Sequence, residues 1–327
     1  MKILVRLPNW LGDMVMSTAF ISALSTEYPS ADIDVIVKKG LESLIDFIPG
    51  ISKQYIFSKN DWKGLRGVYR FGRKISKKVK YDLFFCLPDS FSSALMGWST
   101  GATQRIGFKK EFRSMFLTRS LRKPSSIHRV DQYVSLLEQF ANKKISSRSV
   151  QLKTSTVNIP GVIVINFNSE AESRRMPVEK GASILNALIE AMPTRQFVCI
   201  GSAKDKNHVD AILEMVPHAS MVTNKGGETP TLSDLISVIA SGSVMLTTDS
   251  GPAHIANAVG VPTVVTFGAG NETNTAPYNK DRLSVLRLGQ LSCEPCLKNT
   301  CKFGLPKCLE LLEVTRIIDS VKNFIAH

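Results

Sequence analysis

No run of about eighteen apolar residues occurs in the sequence, so no segment reads as a membrane-spanning helix. The opening stretch "MKILVRLPNW" also lacks the continuous apolar region of a signal peptide, because Arg6 and Pro8 interrupt it. It reads as a first strand, and a cytoplasmic chain that folds from residue 1 is expected. There is no GxGxxG, and no GxxxxGK followed by Ser or Thr. Those absences weigh against dehydrogenases and phosphate-loop nucleotidases. Negative charge is scarce in one half only. Residues 1–157 hold 26 Lys and Arg against 12 Asp and Glu, whereas residues 158–327 hold 15 against 16.

What is present suggests two domains. A chain of 327 residues that is 43% hydrophobic exceeds the size at which a single core stops growing. Short apolar runs read as strands: 3–8, 33–38 and 83–88 in the first half, and 162–167, 197–202, 244–249 and 262–268 in the second. Helical spacing fills 14–24, 182–192, 231–242 and 253–260 between them, and 309–327 reads as a terminal helix. Strands alternating with helices indicate parallel sheets built from βαβ units. The pattern restarts at the polar stretch "KTSTVNIPG" (153–161), where the charge balance also changes. The expected division is 1–157 and 158–327, two doubly wound α/β domains with ligands beyond the carboxyl ends of their strands.

The excess positive charge concentrates in 66–80 and 105–123. It suits an anionic partner, whether nucleic acid, an acidic membrane surface or a phosphorylated substrate, or it forms a solvated face.

Polar residues gather after the strands. In "RLPNWLGDMVM", Gly12 permits a close approach and Asp13 opens a helix. Asp13 is either an N-cap or a carboxylate kept ionised by the helix dipole and ready to accept a proton. In "LTTDSGPAH" (246–254), the amides of Gly251, Ala253 and His254 would face out of a helix N-terminus, a setting suited to a pyrophosphate. Ser250 or Gly251 would cap that helix, Asp249 would accept from hydroxyls or brace the loop, and His254 would donate to a ligand or pack. Arg174 and Arg175 match diphosphate oxygens or sit exposed at a helix start. Asp205, after "IGSAK", could accept from ribose hydroxyls.

Together, "RLPNWLGDMVMSTAFISAL", "SRRMP", "TTDSGPAHIANAVGVPTVVTFG" and "CEPCLKNTCKFGLPKC" resemble the ADP-heptose:lipopolysaccharide heptosyltransferases of glycosyltransferase family nine, in order along nearly the whole chain. The resemblance implies a GT-B fold, with two Rossmann-like doubly wound domains facing each other across a cleft. The N-terminal domain would bind the acceptor and the C-terminal domain the donor, with the terminal helix packing back on the first domain. It also implies inverting transfer of heptose from ADP-L-glycero-D-manno-heptose to the lipid A-linked inner core of lipopolysaccharide, by a monomer at the cytoplasmic face of the inner membrane. No metal, cofactor or nucleic acid is implied. Residue by residue, Asp13 corresponds to the catalytic base. Gly12, Ser169, Arg174, Asp205, Asp249, Ser250, Gly251 and His254 correspond to substrate-binding positions. Met176 stands where the family commonly has tryptophan, and Pro230 where the family places a methionine against the adenine. Arg105, Lys109, Lys110, Arg113, Arg119, His128 and Arg129 are candidates for the acceptor.

Cys293, Cys296, Cys301 and Cys308 are read as reduced thiols, with a structural zinc as the alternative, and Cys86 and Cys199 as buried strand residues. The competing functions are a GT-B transferase or epimerase acting on another nucleotide sugar, a silent sugar-nucleotide binding module, and a basic nucleic-acid-binding protein.

Overall fold

The computed structural model describes residues 1–325. The chain forms two compact units, Met1–Leu152 and a second from Lys153 onward. The first contains β1 (Lys2–Arg6), β2 (Asp32–Lys38), β3 (Lys53–Phe57), β4 (Leu83–Cys86), β5 (Gln104–Phe108) and β6 (Arg119–Leu121). Its helices are α1 (Leu11–Met16), α2 (Thr18–Glu27), α3 (Gly64–Ser76), α4 (Phe91–Ser99) and α5 (Arg129–Ala141). The second contains β7 (Val162–Asn166), β8 (Gln196–Gly201), β9 (Val222–Gly226), β10 (Val244–Thr248), β11 (Thr263–Phe267) and β12 (Leu283–Arg287). Its helices are α6 (Val178–Ala191), α7 (Lys206–Glu214), α8 (Leu232–Ser241), α9 (Gly251–Ala258), α10 (Glu272–Thr275), α11 (Lys307–Glu310) and α12 (Val314–Ile325).

Each unit is one six-stranded sheet, ordered β3-β2-β1-β4-β5-β6 in the first and β12-β11-β10-β7-β8-β9 in the second. All pairings are parallel. Numbered within its own unit, each sheet has the Rossmann order 3-2-1-4-5-6. Interior strands such as "LFFC" and "VIVIN" are buried at every residue, as strands covered on both faces must be. The strands without a continuous apolar run include all four sheet edges: "KQYIF", "RSL", "VTNKG" and "LSVLR". An edge strand is half solvated and does not need that run.

The helical expectation over 14–24 resolves into α1 and α2, which meet at Ser17. The Ser17 and Thr18 hydroxyls donate to the carbonyls of Met14 (2.7 Å) and Val15 (2.8 Å), a back-bonding that bends helices. The terminal stretch divides likewise into α11 and α12; residues 326 and 327 of that expectation lie outside the described residues. The final helix, α12, packs on its own unit. Ile317, Ile318 and Val321 are buried in the second unit's core, against α6, β10 and β11. Among the described residues, no helix is long and apolar enough to cross a membrane.

Candidate active site

Because β1 and β4 lie side by side while their connections run to opposite sides, the loops after them bound a crevice at the switch point. The loop after β1 is held from beneath. Arg6 is buried and donates to the carbonyls of Leu7 (2.9 Å) and Ile36 (3.0 Å) and to Asn9 Oδ1 (2.5 Å). Burial lowers this guanidinium to about 10, so it stays charged and clamps the turn into α1. Trp10 is the N-cap of α1 and makes no side-chain cap, so Asp13, in the first turn, is not the cap. Gly12 lies inside that turn with no left-handed backbone.

Asp13 instead lines a cavity of about 320 Å³ with Asp89, Lys110, Lys123, Arg129 and Tyr133. Its Oδ1 is 3.7 Å from Arg129 Nη1, and the Tyr133 hydroxyl is hydrogen-bonded to it. Arg129 and Tyr133 are i and i+4 on α5 and therefore share one face. Burial raises the carboxyl above its ordinary value, while Arg129 and then Tyr133 act the other way. The dipole at the start of α1 does not by itself set the ionisation of this carboxyl.

Asp89, three residues after β4, lines the same cavity, 2.5 Å from Lys123 and 3.5 Å from Arg113. Arg113 is 1% exposed and donates to Cys86 Sγ (3.0 Å) and Phe108 O (3.1 Å). It is a buried brace, which removes it from the candidate acceptor contacts. Arg105 is likewise spent on the carbonyls of Phe116 (2.9 Å) and Ala102 (2.7 Å). His128 caps α5, its Nδ1 accepting from Val130 N (3.2 Å). Lys109 and Arg119 are exposed and do not line the cavity. Of the basic candidates, Lys110 and Arg129 do.

In the second unit, the loops after β7 and β10 occupy the corresponding switch point and are joined by neutral polar groups. Asn166 Nδ2 donates to Asn168 O (3.1 Å), Thr247 Oγ1 (3.0 Å) and Ser250 Oγ (2.9 Å), and Thr248 Oγ1 donates to Asn168 O (2.8 Å). Ser169 is buried with its Oγ 3.5 Å from Asp249 O. Arg174 Nη1 is 3.2 Å from Asp249 Oδ2, an ion pair without hydrogen-bond alignment. Burial pushes the Asp249 carboxyl up to about 6, against the pull of Arg174 and Arg287. Gly270 makes room for this carboxylate, since a Cβ there would lie 1.9 Å from Asp249 Oδ2.

Ser250 is the N-cap residue of α9 in extended conformation, but its hydroxyl turns to Thr248 O (3.1 Å) and does not cap. Pro252 occupies the first turn without wasting a donor. The expected set of outward amides is reduced at Ala253, whose N–H returns to Ser250 O (3.2 Å). Gly251 opens the helix, and His254 is buried one turn in.

The sequence pairs Arg174 and Arg175, but their surroundings differ. Arg175 is tied to Ser169 O (3.1 Å) and Asp205 Oδ1 (3.0 Å). The other Asp205 oxygen accepts from Ser202 N (3.1 Å) and Oγ (2.6 Å) in a capping box. The expected ribose acceptor is therefore an internal brace. His208 supports the same loop through Asn168 Oδ1 (2.8 Å) and Met176 O (2.9 Å). Sequence reasoning passed over Asp89 and Asn166, although both carry the mark that singled out Asp249, a polar side chain where a buried strand ends.

All six cysteines are free thiols. The four clustered ones line a hollow of about 20 Å³ beside Gly268 and Ala269. Among the described residues, no three His, Cys, Asp or Glu stand together as a metal-holding group. Burial pushes Cys86 and Cys308 up to about 11 and Cys199 to about 12, so these three are protonated at neutral pH.

Two Rossmann-like sheets of one strand order, each with polar loops at its switch point, define an α/β protein of the GT-B class. A sequence profile for glycosyltransferase family 9 (heptosyltransferase) matches residues 68–306. The chain belongs to that family. It is 29% identical to lipopolysaccharide heptosyltransferase 2 of Escherichia coli K12 over 316 residues, covering 88% of each chain. The structure of E. coli ADP-heptose lipopolysaccharide heptosyltransferase II superposes with a TM-score of 0.81 at 26% identity, over 100% of this chain and 99% of that one. A family 9 glycosyltransferase from Veillonella parvula shares the fold, with a TM-score of 0.87 at 21% identity, covering 99% and 97%.

Proposed function

We propose that this protein moves heptose from ADP-L-glycero-D-manno-heptose to the lipid A-linked inner core of lipopolysaccharide, with inversion at the anomeric carbon. The acceptor belongs to the first unit and the donor to the second. The observation that carries the reading is Asp13, a partly buried carboxylate in a 320 Å³ cavity whose wall also carries Lys110, Lys123 and Arg129. An acceptor bearing phosphate or carboxylate groups suits those cations, and Asp13 is placed to take its hydroxyl proton. The oxygen so activated attacks the anomeric carbon while that carbon's bond to the diphosphate oxygen breaks. The leaving ADP gains negative charge, which Arg174 and the N-terminus of α9 at Gly251 offset. Ser169, Ser250 and His254 border the diphosphate in this scheme, and Asp249 holds Arg174 until the anion arrives.

The protein works in this reading as a monomer in peripheral contact with the cytoplasmic face of the inner membrane, and without nucleic acid. A donor screen tests it: ADP-heptose, UDP-sugars and GDP-sugars are offered with a lipid A-linked core acceptor, and the product is followed by mass spectrometry. Transfer from ADP-heptose alone is expected. Transfer only from a UDP-sugar, or epimerisation without an acceptor, would replace the reading with the alternative GT-B activity.

A further inference from the structure

The first unit carries a largely exposed apolar ridge that is tied to its core through Phe116. Phe112 is 82% exposed and Met115 74% exposed, both in a short 3-10 turn between β5 and β6. Phe116, which ends that turn, contacts Phe91 (5.1 Å between centroids) and Trp98 (5.7 Å) on α4, and Trp98 contacts Tyr69 on α3 (5.7 Å). Phe91, Trp98 and Tyr69 are themselves exposed, as is Leu65 one turn before Tyr69. Gly72 allows the two helices to come together, since a Cβ there would lie 1.9 Å from Ser99 Oγ and 2.8 Å from Met96 O. Contiguous exposed aromatics of this kind mark an interaction surface and not a solubility face.

The charge around the ridge identifies the partner. Leu65, Arg66 and Arg73 are the i−4, i−3 and i+4 neighbours of Tyr69, so arginines flank the aromatic row on the same helix face. Residues 63–80 contain Lys63, Arg66, Arg70, Arg73, Lys74 and further lysines, with no Asp or Glu between them. At the other end, Lys109 and Lys110 precede the turn that bears Phe112. The apolar face of α3 is buried through Val68, Phe71 and Ile75, so the helix offers basic charge outward, and basic side chains beside exposed aromatics suit the headgroup boundary of an anionic bilayer.

Continuity with the cavity adds a second reason. Ser90 and Lys110 line the Asp13 cavity, and the adjacent Phe91 and nearby Phe112 belong to the ridge. A bilayer touching the ridge would hold a lipid-borne acceptor beside that cavity's mouth.

We infer that the face formed by α3, the start and end of α4 and the Glu111–Phe116 turn docks on an anionic lipid bilayer. Its purpose rests on the acceptor reading above, but the docking can be measured without acceptor or donor. Full-length protein is sedimented with vesicles of phosphatidylcholine alone and with vesicles that also contain phosphatidylglycerol, at low and high salt. Binding to the anionic vesicles only, weakened by salt, is expected. R66E/R70E should weaken it by about fivefold or more for each charge removed, and F112S/M115S should abolish the part that survives high salt. Both variants should keep wild-type thermal stabilisation by ADP and wild-type transfer to a delipidated acceptor. Equal partitioning of all three proteins, or binding to neither vesicle, would overturn the docking. A dimer in light scattering that F112S/M115S dissolves would overturn it in favour of a second copy of the chain. Vesicle binding without any response to ADP would instead count against the donor reading and leave the docking standing.

Discussion

The two units share a strand order and a switch point, but their loops meet there on different terms. In the first, ionisable side chains face a cavity: Asp13 against Arg129, and Asp89 against Lys123. In the second, amides and hydroxyls of Asn166, Asn168, Thr247, Thr248 and Ser250 knit the loops together beside the Arg174–Asp249 ion pair, whose carboxylate is buried. The difference follows from what each site is proposed to do. A base must change protonation state during the reaction, so its neighbours tune its charge. A diphosphate site must hold its donors where charge develops on the leaving group, and a rigid polar frame keeps them there. One topology supplies both because it delivers loops to a crevice and leaves the chemistry to their side chains.

Removing the proposed base should separate the units most sharply. Asp13→Asn keeps the shape of the cavity but cannot accept the proton, so transfer should fall by about 10²–10⁴-fold while ADP binding by calorimetry stays at the wild-type level. Weakened ADP binding would show that the second unit depends on this carboxylate. Next in size, Arg174→Ala should weaken ADP by about tenfold to a hundredfold through loss of a charge-assisted contact. It should leave the KM for acceptor unchanged, and an equal rise for acceptor would erase the proposed division of labour.

A smaller effect follows from Asp249. Its carboxyl titrates at about 6, and a diphosphate that engages Arg174 removes the cation now stabilising its charge. Binding therefore raises its pKa further and takes up a proton. ADP affinity should increase as pH falls from about 8 toward about 6, and this carboxyl's contribution should level off below that. Asp249→Asn should lose that component, and the difference between the two proteins separates it from the titration of ADP itself. Identical slopes would rule the coupling out.

The smallest expected change is at Tyr133. Its hydroxyl helps keep Asp13 ionised, so Tyr133→Phe should move the acidic limb of the rate profile to higher pH with kcat on the alkaline plateau retained. A uniform fall in kcat with an unmoved limb would mean that Tyr133 only supports packing.

Much of the fold was legible because interior parallel strands are buried on both faces and so read as apolar runs, as "LFFC" and the first four residues of "VIVIN" show. Edge strands such as "KQYIF" and "VTNKG" were not, since solvent relieves them of that demand. At the site, Asp13 and the 249–254 loop stood out by following buried strands directly. Arg113 and Asp205 also resembled ligand contacts, and only their partners distinguish them: Cys86 and Phe108 for one, Ser202 and Arg175 for the other.

By itself, the order of residues determined where strands end, which polar groups follow them and where positive charge accumulates, because these depend on neighbours a few positions apart. The tertiary structure alone decided which charges remain available. Arg113 lies with Cys86, 27 positions away, and Arg174 with Asp249 in another loop. A charge closes on whatever the folded chain brings within about 4 Å of it, and that distance is settled by the packing of the sheets and helices.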